Sequence, residues 1–103
     1  MVNLVKDRIE AILQCCVKYY VKRLEIFGSA AEDSADDSKI GDVDFLVEFT
    51  SSSPVEHCTS YFGLHEELET ILNMHVDLVE IKAMRNPYFI RRANESRKLI
   101  YAA

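Results

Sequence analysis

The stretch Asp42-Val43-Asp44-Phe45-Leu46-Val47-Glu48-Phe49 decides how this chain folds. β-Branched and aromatic residues fill a run of strand length, so it reads as a central strand, with Thr50, three serines and Pro54 as the break that follows. Side chains alternate across a strand, which puts Asp42 and Asp44 on one face and Val43 on the other. Two carboxylates side by side repel unless one takes a proton or a cation sits between them, and hard oxygen donors on one edge suit Mg²⁺. The pair is a metal-site candidate, although acids at the start of a strand that merely face water give the same pattern.

Downstream, Val76-Asp77-Leu78-Val79-Glu80-Ile81 reads as another strand, with an acid set among apolar neighbours. An ionised acid there is costly to bury without a partner. Asp77 therefore either joins Asp42 and Asp44 through a neighbouring strand or lies on a solvent face. Upstream, Leu24-Glu25-Ile26-Phe27 is a short strand stopped by Gly28-Ser29, and Ala30 to Glu32 can begin a helix. Glycine permits close backbone approach, and backbone N–H groups with the Ser29 hydroxyl at a helix start can bind phosphate oxygens.

The remaining elements frame these strands. Val2, Val5, Ile9, Ile12, Leu13 and Cys16 recur at three- and four-residue steps, predicting an amphipathic helix over about the first eighteen residues. Residues 33–41 are polar and turn-prone, as an exposed loop is. Phe62, Leu64, Leu68, Ile71 and Leu72 mark a helix over about residues 59–73. Asn86-Pro87 has the form of an N-cap followed by proline at the first helical position, which predicts a helix over 87–96, with Leu99-Ile100-Tyr101 as a closing apolar segment.

With 103 residues, nearly half of them apolar, the chain suffices for one core, and a single domain over 1–103 is expected. The sequence has no run of eighteen apolar residues and no signal-peptide plan at its start, so the cytosol is the expected compartment. Cys15, Cys16 and Cys58 are odd in number and lack zinc spacing, which argues for reduced thiols. His57, His65 and His75 also lack ligand spacing and read as surface or helix-lining residues. A net charge of −5 argues against a sequence-independent grip on nucleic acid. The charge is divided: residues 25–80 hold fourteen carboxylates and one basic residue, Lys39, whereas residues 82–98 hold six basic residues and one acid, Glu95. Either the two regions pair in the fold or the acidic one meets an external cationic partner.

Phe27-Gly28-Ser29, then Asp42-Val43-Asp44-Phe45-Leu46-Val47, then Val76-Asp77-Leu78-Val79, resembles the polymerase-β-type nucleotidyltransferase superfamily. The segments Phe62-Gly63-Leu64, Glu67-Leu68-Glu69 and Asn86-Pro87-Tyr88 narrow the resemblance to the minimal nucleotidyltransferases encoded beside HEPN-domain proteins in prokaryotic toxin–antitoxin pairs. It spans the chain from about residue 20 to the end. It implies an α/β (α+β) fold, a mixed β-sheet flanked by helices. It implies that Asp42 and Asp44 bridge two Mg²⁺ ions, that Asp77 serves the ion activating the attacking hydroxyl, and that Gly28 and Ser29 hold the triphosphate of ATP. The implied reaction is in-line attack on the α-phosphorus with pyrophosphate leaving, the acceptor being a tyrosine hydroxyl of the HEPN toxin, for which the chain is then the antitoxin.

The sequence departs from that pattern in one respect. Members often carry arginine just after Gly-Ser, but here Ala30-Ala31-Glu32 follow, and six carboxylates lie among residues 32–44. Bound Mg²⁺ or a cation from elsewhere must offset them, with Arg91 and Arg92 as the donors at hand, unless both are ordinary surface charges. An alternative reading is therefore an antitoxin that neutralises its HEPN partner by binding alone. Calcium binding by the 33–44 loop fails on its own terms, since Ala35, Ser38 and Asp44 stand where an EF-hand needs an acid, glycine and glutamate. A sheet edge hidden by a homodimer or by the partner is compatible with the apolar ends of the chain.

Overall fold

Four strands form one sheet in the computed structural model of the protein, which describes residues 1–50 and 52–103. The chain runs through α1 (Asn3–Lys6), α2 (Ile9–Lys18), β1 (Val21–Phe27), β2 (Asp42–Phe49), α3 (Pro54–Leu72), β3 (His75–Glu80), α4 (Pro87–Ser96) and β4 (Lys98–Ala102), with 3₁₀ turns at Ser29–Ala31, Asp37–Lys39 and Ile81–Ala83. The strand order is β3-β2-β1-β4. β1 is antiparallel to both β2 and β4, while β3 is parallel to β2, so the sheet is mixed and flanked by helices. A parallel neighbour cannot follow a tight hairpin and needs a crossover, which α3 supplies.

Alternation within the strands sorts two cores. Leu24, Ile26, Val43, Phe45, Val47, Val76 and Leu78 pack with Ile12 and Cys16 of α2 and with Leu64, Leu68 and Leu72 of α3. Removing one of these buried leucines costs about 2–5 kcal/mol by transfer and cavity terms. On the opposite face, Phe27 and Leu46 pack against Ala93 and Phe89 of α4 in a smaller cluster. The acids of β2 and β3 share this thinner face.

Several boundaries differ from the sequence reading. The predicted first helix is broken at Asp7 and Arg8 into α1 and α2, because α1 is anchored elsewhere: the Asn3 and Leu4 N–H groups donate to the Asp37 carboxylate at 3.1 and 3.0 Å. The exposed loop is thus tied to the N-terminus, and Lys98 ties it again through Asp33. Ala30 to Glu32 start no α-helix, only a 3₁₀ turn ending at Ala31, after which Glu32 is extended. β1 begins three residues earlier than Leu24. α3 begins at Pro54, with Ser53 Oγ accepting from the Glu56 N–H at 3.2 Å, so the residues read as a break are partly a helix cap; Ser51 of that break lies outside the described residues. Asn86 caps α4 as expected, accepting from the Tyr88 N–H at 2.9 Å, and the closing apolar segment is edge strand β4. Among the described residues no helix is long and apolar enough to cross a membrane.

Candidate active site

Asp42 and Asp44 lie at the start of β2 on the face toward α4, and the parallel register sets Asp44 opposite Asp77 of β3 and Asp42 opposite His75. One carboxylate oxygen from each of Asp42, Asp44 and Asp77 lies within 4.8 Å of the others. The three acids singled out from sequence are therefore brought together, and Asp77 is at the same time exposed on the solvent face of the alternating strand β3, so its two readings hold side by side. Asp44, half-buried, has its carboxyl pushed up to about 7, first by burial, then by the hydrogen bond shared with Asp77 and the charges of Asp42 and Asp77. Three hard oxygen donors whose mutual repulsion a cation would relieve suit a divalent ion such as Mg²⁺.

Gly28 sits at the adjoining end of β1, since Phe27 pairs with Asp44. Its φ of 75° and ψ of −158° suit glycine alone, and a Cβ at this position would stand 2.6 Å from Asp44 Oδ2. The missing side chain lets the turn pass directly against the acidic cluster. The Gly28 N–H donates to Ser96 Oγ at 2.8 Å, which fastens the end of α4 to the turn. Ser29 opens the 3₁₀ turn and lines the cleft beside it.

Asp44 stands between two clefts. One, of about 510 Å³, is lined by Gly28, Ser29, Glu32, Asp44, Arg92 and Ser96 among others. The second, of about 430 Å³, lies toward β3 and includes Tyr61, His65, His75 and Asp77. Phe27 and Phe89 border both, packed edge to face with ring centroids 5.5 Å apart. Both volumes fall in the range of small-ligand sites.

Sequence reasoning missed the support behind Asp77. His75 Nε2 lies 3.1 Å from Asp77 Oδ1 and His75 Nδ1 lies 3.2 Å from Glu69 Oε2, while the Val76 N–H donates to that same Glu69 oxygen at 2.9 Å. The backbone hydrogen bond from Val76 is the main reason the Glu69 carboxyl is held below its ordinary range. His65 Nε2 donates to the Val76 carbonyl at 2.7 Å. His75 is two residues before Asp77, so the alternation that paired Asp42 with Asp44 was the available signal.

The divided charge is in part internal pairing: Arg97 meets Glu25, Lys98 meets Asp33 and Lys82 meets Glu48. Of the two arginines proposed as phosphate partners, Arg92 lines the cleft with Gly28 and Ser29, whereas Arg91 lies in a different groove with Pro87, Ile90 and Asn94.

The model of a family described as nucleotidyltransferase domain matches residues 9–100. A Methanocaldococcus jannaschii protein whose name proposes it as a protein adenylyltransferase is 37% identical over 84 residues, covering 82% of this chain and 79% of its own length. A solved structure described as a proposed minimal nucleotidyltransferase superposes with a TM-score of 0.70 at 25% identity, over 94% of this chain and 95% of the other. A chain from the complex of the tri-AMPylated Shewanella oneidensis HEPN toxin with its MNT antitoxin superposes with a TM-score of 0.63 at 14% identity, over 95% and 72% of the respective chains, which is a likeness of fold.

Proposed function

The chain belongs to the nucleotidyltransferase domain family and is an enzyme of that class; from that premise we propose that it transfers AMP from ATP to a hydroxyl of a partner protein, a tyrosine of a HEPN toxin that is thereby neutralised. The observation that carries this reading is the convergence of Asp42, Asp44 and Asp77 within 4.8 Å, beside a glycine-serine turn that opens on a cleft. Asp42, Asp44 and Asp77 would hold Mg²⁺ through their converging carboxylate oxygens. Bound there, the metal supplies positive charge against the phosphate oxygens that gain charge as the reaction proceeds.

The chain's own residues do the positioning. Ser29 and the turn receive the triphosphate in the cleft on the Gly28 side, and Ser96 keeps that turn in place through the Gly28 N–H. Asp77, the exposed member of the trio, faces the second cleft, from which the acceptor hydroxyl enters. His75, braced by Glu69, fixes the rotamer of Asp77. The acceptor oxygen bonds to the α-phosphorus, the bond from that phosphorus to the bridging oxygen breaks, pyrophosphate leaves through the Ser29 side, and the hydroxyl proton passes to the Asp77 carboxylate and on to water.

One observation favours the second reading, neutralisation by contact alone: Glu32 and Glu95 line the cleft that would receive the phosphates. Incubation with α-labelled ATP, Mg²⁺ and the HEPN protein separates the two. The adenylylation reading expects label on the partner, abolished by EDTA and reduced about 100- to 1,000-fold by Asp44→Asn. Neutralisation without label, unaffected by Asp44→Asn, would establish the contact-only antitoxin.

A further inference from the structure

We propose that Arg92 grips the phosphate tail of the nucleotide and supplies, from α4, the cation that the Gly-Ser turn lacks. The inference rests on the nucleotide-binding reading above and adds a residue to it. Phe89, Arg92, Ala93 and Ser96 fall at i, i+3, i+4 and i+7 and so share one face of α4. Two of them fix where that face lies: Phe89 packs on Phe27, and Ser96 Oγ accepts the Gly28 N–H at 2.8 Å. Arg92 lies one turn from Ser96 and lines the cleft along with Ser29 and Asp44.

Elimination points to the same side chain. Of the six basic residues in 82–98, Arg97, Lys98 and Lys82 are engaged by Glu25, Asp33 and Glu48. Arg85 donates to the carbonyls of Lys82 and Met84, and Arg91 lies against the Tyr88 ring at 6.0 Å, in a different groove. Arg92 alone faces the cleft, where Glu32, Asp44 and Glu95 would otherwise repel a triphosphate, and it forms no ion pair among the described residues. A guanidinium presents a planar fork of donors that matches two phosphate oxygens, so a free arginine over an acidic phosphate cleft offsets charge and sets orientation together.

The test is calorimetric titration of ATP in Mg²⁺ into the wild type, Arg92→Gln, Arg92→Lys and Arg91→Gln, with a thermal melt of each. Both arginines are exposed and unpaired by carboxylates among the described residues, so all four proteins are expected to melt together. Arg92→Gln is expected to weaken ATP binding by about 10- to 100-fold, Arg92→Lys to recover part of that loss, and Arg91→Gln to stay within about twofold of wild type. Wild-type binding retained by Arg92→Gln, or an equal loss in Arg91→Gln, overturns the assignment of Arg92 while leaving the nucleotide site standing. A wild type that binds no ATP in Mg²⁺ overturns the nucleotide-binding reading itself, and Arg92 with it.

Discussion

Glu25 and Asp44 come from adjacent strands and face the same side of the sheet, yet their surroundings treat them in opposite ways. Glu25, 4% exposed, accepts from Arg97 Nε at 3.2 Å and lies 3.4 Å from Arg23 Nε, and the Arg97 hydrogen bond holds its carboxyl below the usual range. Asp44 has acids for neighbours, and burial with Asp42 and Asp77 raises it to about 7. The first arrangement is complete within the chain. In the second, the charged side chains nearest Asp44 are two further acids, with His75 paired to Asp77 rather than to Asp44. Glu25 is neutralised by arginines of the same chain, whereas Asp44 is left beside like charges, and that imbalance sets it apart from other acids of the same strands.

Loss of a partner is expected to cost most at Arg97. Arg97→Ala leaves Glu25 buried with only Arg23 beside it and is expected to cost about 2–3 kcal/mol, a fall in Tm of about 10 °C or more in a thermal melt. The Glu25→Leu, Arg97→Met double variant is expected to recover most of that loss. Because the Glu25 carboxyl is depressed on folding, its contribution is present above the unfolded carboxylate range and is lost as pH falls through the folded value.

Gly28 joins the two regions, bonded to Ser96 on α4 and pressed on Asp44. Gly28→Ala is expected to cost about 1–3 kcal/mol from the positive φ and to weaken Mg²⁺-dependent nucleotide binding as well, because the new Cβ must displace the Asp44 carboxylate. Chemical denaturation and titration of the same variant read the two effects.

The smallest effect runs the other way. The folded state raises Asp44 from an ordinary value of 3.8 to about 7, so the domain prefers it protonated, and that preference is fully present below the unfolded value and lost as pH rises between the two. Asp44→Asn, neutral at every pH, is therefore expected to stabilise the metal-free protein by on the order of 1 kcal/mol at pH 8, after allowance for solvent screening at a half-exposed site. The gain should vanish near pH 4, and melts in EDTA across that range check it.

What was legible in the sequence follows the range of the forces involved. Alternation along β2 told that Asp42 and Asp44 share a face, because it depends only on neighbours. That Asp77 joins them depends on the parallel pairing of β2 with β3, which nothing in either strand specifies by itself. The same holds for Glu25 with Arg97, seventy-two residues apart, and for Ser96, whose hold on Gly28 spans sixty-eight. Ser53-Pro54 carried the same cap-and-proline signal as Asn86-Pro87, but the serines before it made it read as a break. The split between α1 and α2 was hidden because the apolar stripe runs through it, and only the Asp37 anchor explains it.

Under the proposed function the three aspartates bind a nucleotide through a metal. Isothermal titration of ATP into the wild type and Asp42→Asn, with Mg²⁺ and with EDTA, decides whether they do. Binding is expected for the wild type in Mg²⁺ alone, lost in EDTA and lost in Asp42→Asn; equal binding with and without the metal, or binding retained by the variant, would rule out a metal-dependent nucleotide site at these aspartates.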